Sequence, residues 1–167
     1  MENPSRTPPP LPPAAALLAA VGVEFVVHRH VEIRTEADIR ERTGFTPENI
    51  KNSLRTMAFT AGHETLALAA IPGLERLRYG RLAAALGVSR SALKPADEAG
   101  LARLGMECGG VSPVCGDPSV TVVFDAAVLR MGRVLFGSGR PDSTVEADAA
   151  ELIRIVPGAI VTDITST

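Results

Sequence analysis

Val120-Thr121-Val122-Val123-Phe124 and, a short way on, Arg133-Val134-Leu135-Phe136 are the two stretches that decide the fold. Neither alternates between apolar and polar residues as a strand with one wet face does. Each reads as a strand buried on both faces, which requires layers of structure above and below. Working outward, Leu54–Thr60 and Thr65–Ile71 flank Ala61-Gly62-His63-Glu64, the pattern of a hairpin. Glu24–His30 is rich in β-formers around Phe25-Val26-Val27, and Ala159–Ile164 reads as a closing strand. Helices are predicted at Ala14–Ala20, Tyr79–Leu86, Ala96–Leu104 and Ala149–Val156. A further helix over Thr35–Arg42 has Thr35 as its N-cap, Asp38 three residues on and Gly44 beyond its end. Strands and helices interleave without strict alternation. The predicted class is α/β (α+β), a mixed, barrel-like sheet with helices around it.

The chain has 167 residues, 46% of them hydrophobic, enough for one domain with a substantial core. Residues 1–13 carry six prolines and are expected to form a disordered tail, leaving 14–167 as a single domain. A net charge of −2 provides no general attraction for nucleic acid, so an RNA partner would need a local cluster. Arg76, Arg78, Arg81 and Arg90 form the densest basic stretch. No signal peptide or membrane span is apparent, and two cysteines are too few for a disulfide scaffold. A soluble, cytoplasmic protein is expected, with no membrane partner.

The common catalytic patterns fail in turn. There is no G-x-S-x-G elbow, and Ser112 precedes Pro113, which pushes it into an extended conformation. His28 and His30 share a strand face, but no third metal ligand stands at recognisable spacing, so no metal is expected. Cys108 and Cys115 are spaced as neither a zinc nor a redox motif, and read as free thiols. Phosphate-loop and dinucleotide fingerprints are absent, and no cofactor is expected. What remains is the loop Gly105-Met106-Glu107-Cys108-Gly109-Gly110-Val111-Ser112-Pro113. Its glycines permit close approach to a ligand and convergence of successive N–H groups on one oxygen, an arrangement suited to an ester oxyanion. The plainer alternative is a simple connection.

That loop resembles the G-x-x-x-G-G-[VI]-[SA]-P loop of the YbaK/prolyl-tRNA-synthetase editing-domain family. Leu66–Gly73 is similar to the family's strand before its basic turn, and Leu82–Gly87 to its next helix. Val122-Val123-Phe124-Asp125 resembles its buried strand ending in Asp, and Gly137-Ser138-Gly139-Arg140 its following turn. The resemblance implies a hydrolase that removes wrongly attached amino acids from tRNA, commonly tRNA for proline. Its partners would be the 3′ end of an aminoacyl-tRNA and an aminoacyl-tRNA synthetase. It implies water attack on the ester without a protein nucleophile, with the terminal ribose hydroxyl assisting.

By the same resemblance Lys51 and Gly110 are the catalytic candidates. Asn52, Ser53, Gly105, Gly109, Val111, Ser112, Pro113, Asp125, Gly137, Ser138 and Gly139 are the substrate-binding candidates. Two departures stand out. The family's K-[TSN]-L reads Lys51-Asn52-Ser53-Leu54 here, so aligning on Ser53-Leu54 puts Asn52 in the lysine's place. Thr144 stands where some bacterial members carry an acid, with Asp142 nearby. These departures are the support for an alternative, a catalytically weak tRNA- or synthetase-binding paralogue. A third alternative is a redox- or metal-responsive module built on Cys108 and Cys115.

Overall fold

The computed structural model describes residues 10–33, 35, 37–38, 43–63 and 65–166. Among them eight strands form two sheets. The five-stranded sheet runs β4(Leu93–Pro95)-β2(Leu54–Ala61)-β3(Leu66–Pro72)-β5(Thr121–Asp125)-β8(Ile160–Thr162). The three-stranded one runs β1(Val26–Arg29)-β7(Ser143–Asp148)-β6(Arg133–Gly137). β2 and β3 are the predicted antiparallel hairpin, while β3–β5 and β5–β8 are parallel, so the larger sheet is mixed. A single bridge joins the sheets: Ser53 pairs with Leu135, whose N–H donates to the Asn52 carbonyl at 3.1 Å. No closed barrel forms among the described residues; the sheets meet at this one seam.

The continuous apolar runs have the expected cause. In β3 and β5 alternate residues enter different cores. Leu68, Ala70, Val122 and Phe124 face a core shared with Val134, Phe136, Val145 and Ala147 of the smaller sheet. Ala69, Ile71 and Val123 face a second core with Phe59 and Leu82. Helix α1(Pro13–Ala20) covers the first core through Ala14, Ala15 and Leu18, as does α5(Ala149–Ile155) through Leu152. Helix α3(Tyr79–Leu86) covers the second with Leu82 and Ala83, and Gly87 closes it in the left-handed conformation. Phe124 is fully buried, so Phe124→Ala would cost about 3–5 kcal/mol.

Three elements escape the periodicity argument: β4, β7 and the short helix α2(Pro47–Lys51). The helix predicted over Ala96–Leu104 contracts to α4(Glu98–Arg103), because the Asp97 carboxylate accepts from the Gly100 N–H at 2.8 Å and sets the start there. Thr35 and Asp38 exchange the expected capping bonds, both at 3.2 Å; the body of that predicted helix, 39–42, lies outside the described residues. Residues 1–9 of the predicted tail also lie outside them. The fold itself takes in Pro12, which is buried, and Pro13, which begins α1, where a missing N–H costs nothing.

Candidate active site

The site begins at the seam between the sheets. α2 starts with a capping box: the Thr46 hydroxyl accepts from the Asn49 N–H, and the Asn49 side chain accepts from the Thr46 N–H. One turn later the chain enters β2. There the Ser53 hydroxyl donates to the Ile50 carbonyl at 2.5 Å, and its carbonyl accepts from the Gly73 N–H at 2.8 Å. This fixes the α2–β2 corner against the end of β3.

The glycine loop is stitched to the turn after β6. The Glu107 N–H donates to the Gly139 carbonyl at 3.0 Å, and the Gly139 N–H donates to the Gly110 carbonyl at 2.6 Å. Arg140 adds a hydrogen bond to the Gly105 carbonyl at 3.2 Å and an exposed ion pair with Glu107 at 3.4 Å. Glycine is required at the contacts. A Cβ on Gly110 would fall on the Arg140 backbone, one on Gly137 on the Val111 carbonyl, and one on Gly109 on the Ile33 carbonyl. Gly109 also has φ +87°, which side chains rarely adopt.

Between the corner, the loop and β6–β7 lies a cleft of about 240 Å³. Its walls are apolar, with Ile33, Phe45, Ile50, Leu54, Leu135 and Phe136. Asn49, Ser53, Arg55, Thr56 and Thr144 add polar groups, and Gly109, Val111 and Gly137 complete the lining. The N–H groups of Gly109 and Val111 meet no acceptor among the described residues, and neither does the buried Thr56 hydroxyl. The volume lies below the roughly 300–1,000 Å³ of clefts that enclose drug-sized ligands, and so suits a small group at the end of a larger molecule.

Of the residues singled out from sequence, Ser53, Gly109, Val111 and Gly137 line this cleft together. The others stand elsewhere. Lys51 and Asn52 are exposed at the end of α2, beside the lining residues Ile50 and Ser53. The Gly110 N–H, expected to face a ligand, is taken by the Glu107 carbonyl at 3.0 Å. Gly110 therefore acts through the tightness of its packing.

Gly105 and Gly139 lie at the two ends of the stitching. Ser112 is buried, its hydroxyl accepting from the Val114 N–H at 3.0 Å, and Pro113 is buried beside it. Ser138 is likewise buried, tied to Ser143 and to the Arg140 carbonyl. The Asp125 carboxylate accepts from the N–H groups of Ala127 and Ile164 and from the Thr165 hydroxyl; it holds the C-terminal segment. Cys108 is exposed, whereas Cys115 is buried, and burial raises its thiol pKa.

Sequence reasoning missed Phe45, Asn49 and Thr56. The Thr46-Pro47-Glu48-Asn49 capping pattern was the available signal for α2, which carries the second of these. It noted Thr144 only as a departure.

Residues 30–155 match the model of the aminoacyl-tRNA editing domain. The chain belongs to that family. A search of the curated proteins finds no match by sequence. Among solved structures, the hypothetical protein APE2540 superposes with a TM-score of 0.72 at 24% identity, over 91% of this chain and 98% of its own. A candidate trans-editing enzyme for prolyl tRNA synthetase gives 0.69 at 24% identity, over 95% of this chain and all of its own. At that identity these likenesses speak to the fold, which is YbaK-like. No helix among the described residues is long and apolar enough to cross a membrane.

Proposed function

We propose that this member of the editing family is a deacylase acting in trans on mischarged tRNA, of the tRNA-Pro type. The observation that carries the proposal is the cleft itself. A small apolar chamber opens beside two backbone N–H groups, of Gly109 and Val111, that have no acceptor in the described protein. The chamber suits an amino-acid side chain, and the two donors suit the ester carbonyl as it becomes an oxyanion. Donors of that kind, placed in advance, are each worth about 10²–10³ in rate. Lys51, exposed at the rim next to Ile50, would bring positive charge to the terminal nucleotide. The arginine cluster would hold the tRNA backbone.

A second reading also has an observation behind it. Both Lys51 and Asn52 stand outside the lining, as a tRNA- or synthetase-binding paralogue with weak catalysis would allow. One assay separates the two. The protein is incubated with a panel of mischarged tRNAs, tRNA for proline among them, and release of the amino acid is followed. The deacylase should clear at least one member catalytically, and Lys51→Ala should slow it at least tenfold. Binding without release across the panel would establish the paralogue instead.

A further inference from the structure

The cleft has a proton acceptor behind it that the glycine loop does not explain. The His30 Nδ1 lies 2.8 Å from the carbonyl oxygen of Val31. A carbonyl can only accept, so Nδ1 carries the proton, and in the neutral ring Nε2 is a bare acceptor. Nε2 lies 2.8 Å from the Thr144 hydroxyl, which must therefore be the donor. The lone pairs of Thr144 Oγ1 remain for a group in the cleft, which Thr144 lines. Thr144 is paired across the ladder with Gly137, and Gly137 abuts the Val111 carbonyl. Thr144, Gly109 and Val111 thus line the same cleft.

We propose that Thr144 and His30 form a proton relay to the water that attacks the aminoacyl ester, an inference that rests on the deacylase reading above. As the water oxygen bonds to the acyl carbon, the carbonyl electron pair moves onto its oxygen, near the Gly109 and Val111 N–H groups. The water proton passes to Thr144 Oγ1 while the Thr144 proton passes to His30 Nε2. The imidazolium so formed keeps its Nδ1–H on the Val31 carbonyl. On collapse the acyl–ribose bond breaks, and the departing ribose oxygen recovers the proton by the same route. Thr144 touches the reacting water; His30 acts through it.

The surroundings favour this division. The rings of His28 and His30 both make T-shaped contacts with Phe45, with centroids 5.7 and 6.2 Å apart. Beside His30 stand Arg29 and Glu32 of its own segment and, across the ladder, Asp142, whose carbonyl accepts from the His30 N–H at 3.0 Å; His28 lies two residues back on the same strand face. Glu146 is committed to Arg133 and to His28, the latter at 2.9 Å. His28 therefore has its own carboxylate, and among the described residues the ring of His30 meets the hydroxyl and a carbonyl.

The test has two arms. In the first, ¹⁵N NMR of the imidazole nitrogens reads the tautomer directly, whatever the activity. The expected result is His30 protonated at Nδ1, with an Nε2 signal that shifts in Thr144→Val. An Nε2-protonated ring, or a signal indifferent to Thr144→Val, would overturn the relay. The second arm is the pH–rate profile of deacylation. The wild-type rate should rise with pH and then level off. His30→Gln, which can accept a hydrogen bond but cannot take up a proton, should lose about 10²-fold and show no plateau. Thr144→Val should fall similarly, Thr144→Ser should stay within a few-fold, and His28→Gln should keep the plateau. Equal losses in His28→Gln and His30→Gln would indicate mere packing and overturn the relay. A trapped acyl-threonine would replace it with covalent catalysis. A wild-type protein inert on every mischarged tRNA would refute the deacylase reading, while the NMR arm would still decide the hydrogen-bond chain.

Discussion

Gly110→Ala is the substitution whose consequences the structure defines most sharply. A methyl group there would fall on the carbonyl carbon and oxygen of Arg140, and 2.6 Å from its nitrogen. Comfortable separation begins near 3.5 Å. The obstacle is backbone, so no rotamer change can relieve it; the loop and the turn after β6 must part. Overpacking of this kind costs about 1–3 kcal/mol. Parting also strains the Gly139→Gly110 and Glu107→Gly139 hydrogen bonds, each worth roughly 0.5–1.5 kcal/mol net. The expected loss is therefore about 2–6 kcal/mol, or a Tm lower by about 4–24 °C at this chain length. Thermal melts by circular dichroism, with urea titrations beside them, measure it. Because the displacement carries Gly109 and Val111 with it, whatever folded protein remains should deacylate at least tenfold more slowly. A variant melting within 2 °C of wild type would refute the close-approach argument. The loop would then be a loose connection with no fixed donors.

Three further outcomes follow from other positions. Gly80 lies within α3 with no atom within 4 Å of a Cβ, so Gly80→Ala should raise stability by about 0.5–1 kcal/mol in the same urea titration. The Glu146 carboxyl is held below its usual range, first by hydrogen bonding to Arg133 and then by His28. Its contribution should be present above the ordinary Glu value of about 4.3, and lost as pH falls through the lowered native value. For partly exposed groups it should amount to less than about 1 kcal/mol. Urea midpoints from pH 3 to 7 should show that limb flattened in Glu146→Gln, and an unaltered limb would discount the pair. Replacing Arg76, Arg78, Arg81 and Arg90 by alanine should flatten the salt dependence of tRNA binding by roughly one unit per lost phosphate contact. An unchanged slope would move the RNA surface elsewhere.

The parts of the fold that sequence showed are those whose signal is local. The β2–β3 hairpin has two apolar runs around a glycine turn, α3 has good formers ended by Gly87, and β5 has an unbroken apolar run. β7 escaped because its inward positions are Ser143, Val145 and Ala147, one of them polar and one small. Ser143 is tolerable there only because Ser138, five residues away on the other limb of the turn, hydrogen-bonds to it inside the core. That bond depends on a turn geometry the residue types do not specify. The same limit applies to the cleft. The glycine motif was readable as a motif, but the cleft draws its walls from Phe45, the α2–β2 corner, Leu135–Gly137 and Thr144, which only the seam between the sheets brings together. His30 and Thr144 are 114 residues apart, and no spacing rule connects them.

Substitutions in this protein therefore divide into two kinds. Gly109, Gly110 and Gly137 sit where one backbone presses on another, so any side chain there perturbs folding and the cleft together. A lost activity at Gly109 combines a missing oxyanion donor with a displaced wall, whereas at Gly110 or Gly137 it reports the displaced wall. Lys51 at the rim is exposed, and the hydroxyl of Thr144 and the ring of His30 are bonded chiefly to one another. At those three positions chemistry can be altered with little change in packing, so a rate loss there with an unchanged melt would bear on mechanism. Thr144→Ser against Thr144→Val is the sharpest such pair. Serine keeps the hydroxyl and drops the methyl, valine keeps the methyl and puts a second in place of the hydroxyl, and the proposed relay requires the hydroxyl alone.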